Sequence, residues 1–313
     1  MFRRVIIVSA LAAFLSSCAA SSVPAPTVLD TTSAAPGSPH ARAQSWMDRG
    51  AGGAPFTYVS EPECGCVLVY SASRARFIGL ISGDFVNPEG ITTDSNDALY
   101  VTDAVRDANG NFEIDEYAAG SLQRTNLLFA PQQPVDVAVG ADGTVYVSTT
   151  GAIPAIFVYA KGSQNPMSQL LDPNAVAGWG IAINDKQNIF WGVQTASGYR
   201  IDRYPKGVKF PDPLRTPLTD VPESLNFDKQ GRIIITQPHV PVVDVFSLQT
   251  LLINQLSEIG MPDGAAHDAL HNIWVADNAN NALEEYFSSD GSLRRMISLP
   301  GCCARDVAVF PLP

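Results

Sequence analysis

Charged side chains are scarce in this sequence of 313 residues, and basic ones are scarcer than acidic ones. Asp, Glu, Lys and Arg make up only 16% of the chain, and its formal net charge is −11. No stripe of Lys and Arg is available to replace the counterions of a phosphate backbone, so we expect no nucleic-acid partner. The acidic balance fits a soluble surface and suits cationic or metal ligands.

Long hydrophobic runs are also missing, and the longest one lies at the N-terminus. Arg3 and Arg4 precede an apolar stretch over 5–15. This stretch is too short for a bilayer core, which needs about 20 residues, but it suits a signal peptide. The run ends in Leu15-Ser16-Ser17-Cys18, which resembles the lipobox of bacterial lipoproteins. The resemblance implies a signal peptide over 1–17 and a lipidated Cys18 as the new N-terminus; the alternative is an ordinary secretory signal beside an accidental cysteine.

Residues 18–54 are rich in Pro, Ser and Ala and have no apolar period. A segment of this composition buries too little surface to order itself, which predicts a flexible tether. The lipid would place the protein in the cell envelope, outside the cytoplasm, at the outer membrane, in the periplasm or on the cell surface. Its membrane contact would then be made through acyl chains rather than through a spanning segment.

The sequence from residue 55 onward shows no helical periodicity and contains a repeat instead. Five segments share a small opening residue, an apolar strand, a turn led by Asp, Asn or Gly, and a second apolar strand. They are PEGITTDSNDALYV, PVDVAVGADGTVYV, GWGIAINDKQNIFW, PESLNFDKQGRIII and PDGAAHDALHNIWV. The turn leaders are Asp94, Gly140, Asn184, Asp228 and Asp268. Each segment is followed by two more strand-like runs, and four short strands in about 40–50 residues are typical of a β-propeller blade.

Two incomplete pieces remain at the ends of this region. Residues 304–309 match the first strand of the template, whereas 56–60, 67–71 and 77–82 supply three strands without a first one. Joined, they complete a sixth blade and remove the open sheet edge. The sequence therefore predicts an all-β fold: one six-bladed β-propeller over 55–313, monomeric, with four antiparallel strands per blade and a closing blade formed from both chain ends.

Four cysteines beyond Cys18 fall in two pairs, Cys64 with Cys66 and Cys302 with Cys303. In the predicted ring both pairs occupy loops on one face of the closing blade. An even number in an exported chain indicates disulfides, and bonds between the two pairs would lock the ring. A four-thiolate zinc site, a vicinal bond between Cys302 and Cys303, and free thiols are the alternatives.

The repeat pattern PxGIxxDxxGxLYV resembles those of NHL-repeat and gluconolactonase-like six-bladed propellers, over 88–309 and, by closure, from 56. Lactonases of that group bind Ca²⁺ at the channel mouth through Glu, Asn and Asp side chains. Pro262-Asp263-Gly264 is similar to their PDG segment, so the resemblance implies a ligand role for Asp263. No Pro-Asn-Gly occurs in this sequence. Streptogramin-lyase-like propellers share the repeat as well, but their paired histidines have no counterpart here.

The residues that follow each opening position are expected near the channel mouth: Glu89, Trp179, Glu223, Asp263 and Arg305, with Asp136 and Asp306 one step further. Carboxylates that converge there could hold Ca²⁺, which takes six to eight oxygen ligands. Glu89, Glu223 and Asp263 are therefore candidate metal ligands. The alternative is that these acidic side chains accept backbone N–H bonds and shape turns.

Two functions of different classes fit these features. The first is a membrane-anchored scaffold that binds a protein, a glycan or a small molecule on one face of the ring. The second is a Ca²⁺-dependent hydrolase or lactonase with its site at the channel mouth. We find no Ser/His/Asp set, phosphate loop or dinucleotide fingerprint in the sequence, and His267 and His271 merely flank the turn of the fifth repeat.

Overall fold

The computed structural model describes residues 44–48, 55–249, 251–257, 259–301 and 303–309. The predicted signal peptide, Cys18, Cys302 and most of the predicted tether lie outside these residues. Within the described part every regular element is a β-strand, and no helix there is long and apolar enough to cross a bilayer.

The strands follow one another along the chain in groups of four. The N-terminal strands are β1 (Trp46–Met47), β2 (Phe56–Glu61), β3 (Cys66–Ser71) and β4 (Arg76–Ser82). Blade 1 contains β5 (Pro88–Thr93), β6 (Leu99–Asp103), β7 (Phe112–Tyr117) and β8 (Arg124–Ala130). Blade 2 contains β9 (Pro134–Val139), β10 (Val145–Thr149), β11 (Ile156–Tyr159) and β12 (Ser168–Leu170).

The next three blades repeat this arrangement. Blade 3 contains β13 (Ala175–Ile183), β14 (Ile189–Thr195), β15 (Gly198–Tyr204) and β16 (Asp212–Leu214). Blade 4 contains β17 (Leu225–Phe227), β18 (Ile233–Gln237), β19 (Val242–Phe246) and β20 (Leu252–Leu256). Blade 5 contains β21 (Pro262–His267), β22 (Asn272–Asp277), β23 (Ala282–Phe287) and β24 (Leu293–Ser298).

The last strand, β25 (Asp306–Val309), closes the ring on β2. Val307 lies opposite Val59, and Ala308 lies opposite Tyr58, in antiparallel register. The sheet order β4-β3-β2-β25 gives the sixth blade four strands drawn from both chain ends, as predicted. The six inner strands contact one another in the cyclic order β5, β9, β13, β17, β21, β25 and back to β5. The chain is therefore a six-bladed β-propeller.

The core is divided into six apolar clusters, each between two neighbouring blades. In β3, Val67 and Val69 pack toward blade 1, whereas Leu68 and Tyr70 pack toward blade 5. Successive side chains of a strand point to opposite faces, and here a neighbouring blade covers both faces. This explains why β3 is apolar almost without interruption.

The five repeat turns have the same geometry. In each, the N–H of the turn leader donates to the carbonyl oxygen four residues later, at 2.8–3.1 Å. The residue three positions after the leader has a φ between 60° and 81° in every case: Asp97, Gly143, Gln187, Gly231 and His271. The leader side chains at Asp94, Asn184, Asp228 and Asp268 accept backbone N–H bonds within their turns. These side chains therefore have a structural role in their turns.

Trp46 and Met47 form a fifth strand at the outer edge of the closing blade, opposite Leu80 and Gly79. The Trp46 ring packs edge-on against Phe77 at 5.3 Å between centroids. Part of the segment predicted as a tether thus lies against the propeller.

Candidate functional site

The predicted mouth residues come together around Arg305. Its three guanidinium nitrogens each face a different carboxylate: Nε lies 2.5 Å from Glu89 Oε2, Nη1 lies 3.3 Å from Asp263 Oδ2, and Nη2 pairs with Glu223 Oε1. The Arg305 side chain is 28% exposed, whereas those of Glu223 and Asp263 are buried. One cation from the last blade therefore joins carboxylates of three other blades.

Irregularities of the inner strands orient two of these carboxylates. The pairing register shifts between Pro88 and Ile91, beside Glu89, and between Pro262 and Gly264, at Asp263. Such bulges re-aim side chains at the rim of a sheet. A second set of bonds holds the same carboxylates, because Asn87 Nδ2 donates to Glu89 at 2.8 Å and Asn278 Nδ2 donates to Asp263 at 2.7 Å.

Burial and charge shift the acid–base behaviour of this cluster. Burial raises the pKa of Glu223 from 4.5 to about 7, against the opposing effect of Arg305. Burial also raises the pKa of Asp263, again opposed by Arg305. Burial alone would lower the pKa of Arg305, but Glu223, Glu89 and Asp263 raise it well above its ordinary value. The guanidinium therefore stays charged at every physiological pH.

A second layer lies one residue further into the channel. Asp306 Oδ2 accepts the N–H of Ile91 from blade 1 at 2.9 Å, and Asp136 Oδ2 accepts the N–H of Ile181 from blade 3 at 2.8 Å. These carboxylates satisfy inner-strand amides of the following blade, which ties neighbouring blades together. Burial raises the pKa of Asp136 and Asp306, that of Asp306 to about 7.

Glycine is needed beside this second layer because the strands approach closely. A Cβ on Gly264 would lie 2.1 Å from Asp306 Oδ1, and one on Gly90 would lie 2.5 Å from the Cα of Asp136. Both distances are far below van der Waals contact. The space left among these residues amounts to about 10 Å³, so this end of the channel is closed.

The mouth residues do not fit the calcium ion implied by the family resemblance. Oxygens at 2.3–2.6 Å from one ion lie close to one another, but Glu61, Cys64 and Cys66 are the one set in the described chain whose ligand atoms all lie within 4.8 Å. Glu89, Glu223 and Asp263 are not such a set, because the Arg305 guanidinium lies between them. In this arrangement the arginine supplies the positive charge that an ion would bring.

Of the four cysteines beyond Cys18, the structure describes Cys64, Cys66 and Cys303, and the bond it contains differs from the predicted cross-links. Cys64 is bonded to Cys66 within the hairpin between β2 and β3. Gly65, with a φ of 59°, makes the tight turn that brings the two together. Cys303 Sγ lies 3.4 Å from Glu63 Oε1, which places the two loops side by side. The sulfurs of Cys64 and Cys66 are therefore used in a disulfide rather than as a pair of thiolate ligands.

The opposite end of the channel is open. Residues from all six inner strands surround a cavity of about 330 Å³, with Ile91, Ile181, Leu225 and Val307 among its apolar lining. His267 also lines this cavity. Burial lowers the pKa of His267, and its buried Nδ1 has no hydrogen-bond partner among the described residues. The imidazole is thus neutral at physiological pH.

The sequence placed Glu89, Glu223, Asp263 and Arg305 together, but it did not reveal this cavity or the pairing of Arg305. Trp179, which was expected beside them, is not among the partners of Arg305; its carbonyl oxygen accepts the hydroxyl of Ser148. The signal for the pairing was present, because Arg305 is the one basic residue among the six that directly follow an opening position. No corresponding signal existed for the cavity, since its walls are ordinary strand residues.

These features define a six-bladed β-propeller that is closed at one end of its channel and open at the other. No protein-family model matches the sequence, and no curated protein matches it significantly. Solved structures do match its fold. A chain of a nidogen/laminin complex is 12% identical, with a TM-score of 0.68 over 82% of this chain and 98% of that one.

Two further structures show the same likeness. A Bacteroides caccae protein of unknown function is 10% identical, with a TM-score of 0.62 over 82% of this chain and 99% of that one. A streptogramin B lyase is 14% identical, with a TM-score of 0.53 over 68% of this chain and 69% of that one. At these identities the likeness shows the fold alone.

Proposed function

We propose that this chain is an envelope-anchored binding propeller whose ligand enters the open end of the channel. The observation that carries the proposal is the contrast between the two ends. Arg305 and its carboxylates leave about 10 Å³ at the mouth, whereas the other end offers about 330 Å³. Ligand pockets in proteins are clefts of about 300–1,000 Å³, and the volume of the open end falls within this range.

A thermal-shift screen of chemically varied small molecules tests the binding role. Asn226 lines the cavity and is half-buried, so Asn226→Trp would fill part of it. Asn126 lies on β8, the outermost strand of blade 1, and Asn126→Trp makes the same change far from the channel. We expect compounds that stabilise the wild type and the Asn126 variant but not the Asn226 variant. Binders whose effect survives Asn226→Trp, or a screen without any binder, would contradict the proposal.

Anchoring rests on the sequence Leu15-Ser16-Ser17-Cys18. Labelled palmitate supplied to bacteria that express the full chain should be incorporated into the protein, which should fractionate with the membranes. Cys18→Ser is the matched control and should abolish both results. Palmitate labelling that persists in Cys18→Ser would show that the lipid is not attached to Cys18 and would contradict the proposed anchor.

The hydrolase alternative retains one supporting observation, the convergence of Glu89, Glu223 and Asp263 at the mouth. Calcium titration followed by ester and lactone assays tests it. Calcium-dependent turnover that Asp263→Ala abolishes would replace the binding role with catalysis. Arg305→Met further distinguishes the binding role from the calcium-dependent hydrolase. If the guanidinium occupies the place of an ion, this variant should bind calcium at the mouth and the wild type should not.

A further inference from the structure

The lysines of this chain are confined to one part of the ring. The sequence contains five of them, and all five are exposed: Lys161, Lys186, Lys206, Lys209 and Lys229. They lie in strand connections of blades 2, 3 and 4, at the open end of the channel. Lysine is therefore concentrated on one sector of a protein whose net charge is −11.

Contacts between neighbouring connections bring four of these lysines together. The stem of Lys161 lies over the turn of blade 2, where a Cβ on Gly143 would be 2.7 Å from the lysine Cδ. The turn of blade 3, which carries Lys186, accepts a backbone N–H of the blade 2 turn at 3.0 Å. It also holds the connection between β15 and β16, because the N–H of Lys206 donates to Asn188 at 3.1 Å. The lysine patch is defined here as Lys161, Lys186, Lys206 and Lys209.

The lysine patch keeps an excess of positive charge. None of its members forms an ion pair with a described residue, since the cationic partners in the ion pairs there are arginines and one histidine. Asp142, Asp185 and Asp212 lie in or next to the same connections. Arg203 pairs with Asp212, which leaves two aspartates beside four lysines. An anionic partner would be attracted to this surface.

The connection between β15 and β16 also exposes two apolar side chains, which are flanked by lysines of the patch. Phe210 is 77% exposed and Val208 is 44% exposed. The N–H of Val208 donates to the carbonyl oxygen of Pro205 at 2.9 Å, across a turn in which Gly207 has a φ of 77°. The outer edge of blade 3 thus presents a phenyl ring between ammonium groups.

A surface of anionic phospholipids matches both features of this edge. Its headgroups attract lysines, and the acyl chains beneath them take up an aromatic ring without a shaped pocket. An acidic protein would pair with the lysines but would need a pocket for the ring as well. The lipid predicted at Cys18 would bring a bilayer within reach, because the 26 residues 18–43 span up to about 90 Å when extended.

We propose that the lysine patch, together with Phe210 and Val208, docks on a membrane surface of anionic phospholipids. The ring of Phe210 would enter the headgroup boundary, while the ammonium groups stay at the phosphates. This inference rests on the proposed envelope anchor and adds a second contact with the membrane, made by the folded ring itself.

Tryptophan quenching by brominated lipid tests the docking. Phe210→Trp places a reporter in the proposed contact, and Ile153→Trp places one at a side chain that is 65% exposed at the closed end. Both are made in the full chain with Cys18→Ser, so that no acyl chain contributes and any contact of residues 1–17 is shared. With vesicles of equal parts phosphatidylcholine and brominated phosphatidylglycerol, we expect the added fluorescence to be quenched in Phe210→Trp and not in Ile153→Trp.

The role of charge is tested in the Phe210→Trp chain. Lys206→Gln with Lys209→Gln should raise about tenfold the lipid concentration that gives half of the quenching, because each lysine near an anionic surface contributes to binding. Arg74→Gln with Arg76→Gln removes as much charge from the closing blade and should change that concentration less than about twofold. Vesicles of brominated phosphatidylcholine alone should quench neither reporter.

Quenching that is confined to Phe210→Trp and weakened by the two lysine substitutions supports the inference. No quenching, equal quenching of both reporters, or indifference to the lysine substitutions overturns it. Poly-glutamate is the probe for the other class of partner: if it shifts the emission of Phe210→Trp while vesicles do not quench it, the patch binds an acidic protein and the inference is wrong. The anchor and the channel are judged separately, by palmitate labelling and by the Asn226→Trp screen.

Discussion

Arg305, immediately before the last strand, forms an ion pair with Glu223, which lies 82 positions earlier in the chain. The eight strands of blades 4 and 5 lie between the two residues along the chain. The same guanidinium also reaches Glu89 and Asp263. One side chain thus neutralises acids that three different blades would otherwise present to one another. This arrangement closes the mouth, and the open cavity lies at the opposite end of the channel.

Removing the guanidinium should destabilise the ring. Arg305→Met keeps the aliphatic length but leaves Glu223 and Asp263 as buried acids without a cation, which costs about 3–5 kcal/mol in comparable pairs. The loss should be smaller near pH 5, where these carboxyl groups take up protons. Chemical denaturation at both pH values measures the free energy of unfolding.

Arg203→Met provides the control for that experiment. Arg203 pairs with Asp212 at the surface, where their side chains are 36% and 57% exposed. Such pairs contribute about 0–1 kcal/mol. Equal decreases in the free energy of unfolding of Arg305→Met and Arg203→Met would contradict a particular contribution of the Arg305 cluster to stability.

The stability of the propeller should fall as pH rises from about 4 to about 7. Burial raises the pKa of Glu223 from 4.5 to about 7 and that of Asp306 from 3.8 to about 7. Between these values the folded protein holds protons that the unfolded chain has released, so raising the pH favours unfolding. Above pH 7 this contribution is gone and the curve levels.

Glu223→Gln isolates one group from that pH dependence. Between pH 4.5 and pH 7.5, the free energy of unfolding of this variant should fall by roughly 1–3 kcal/mol less than that of the wild type. Asp212→Asn, at the exposed pair, should leave the curve parallel to that of the wild type. If the unfolding free energy of the wild type rises between pH 4.5 and pH 7.5, and the Glu223→Gln curve coincides with it, the assignment of this pH dependence to Glu223 is wrong.

The repeat turns offer a stabilising substitution. His271 has a φ of 66° at the position where two other repeats have Gly143 and Gly231. Because a side chain costs about 1 kcal/mol in this left-handed region, His271→Gly should raise the free energy of unfolding by about that amount. Gly231→His, the reverse change in the preceding repeat, should lower it equally. A decrease in the free energy of unfolding of His271→Gly, or an increase for Gly231→His, would contradict the shared turn geometry.

The Cys64–Cys66 bond predicts a particular peptide map. Digestion without reduction should release the segment containing both cysteines with an internal bond and no attached second peptide. A two-residue separation constrains the unfolded chain little, so reduction should cost about 2 kcal/mol or less, against about 5 kcal/mol for a bond across the ring. Recovery of Cys64 or Cys66 linked to Cys302 or Cys303 would restore the cross-linked arrangement.

The fold was predictable because the repeat supplies the same evidence several times. Five turns spaced 40–46 residues apart fix the blade length, and the match of 304–309 to a first strand fixes the closure. The pairing of Val307 with Val59 follows from these two facts. The pairing of Trp46–Met47 with β4 did not follow, since two residues carry no period.

The site was predictable only in part. Opening positions of the repeats identify which residues meet at the mouth, so Glu89, Glu223 and Asp263 were placed together. Arg305 was placed there as well, but its pairing with these carboxylates was not predicted, because the pattern indicates position and not which charges pair. Likewise Cys-Gly-Cys spacing did not reveal the bond between Cys64 and Cys66, which depends on the backbone turn at Gly65.

Crystals grown with calcium would test the role of Arg305 most directly, through the anomalous difference map at the mouth. We predict the Arg305 guanidinium between Glu89, Glu223 and Asp263 without an ion. An ion bound by those three carboxylates, with Arg305 displaced, would contradict this prediction.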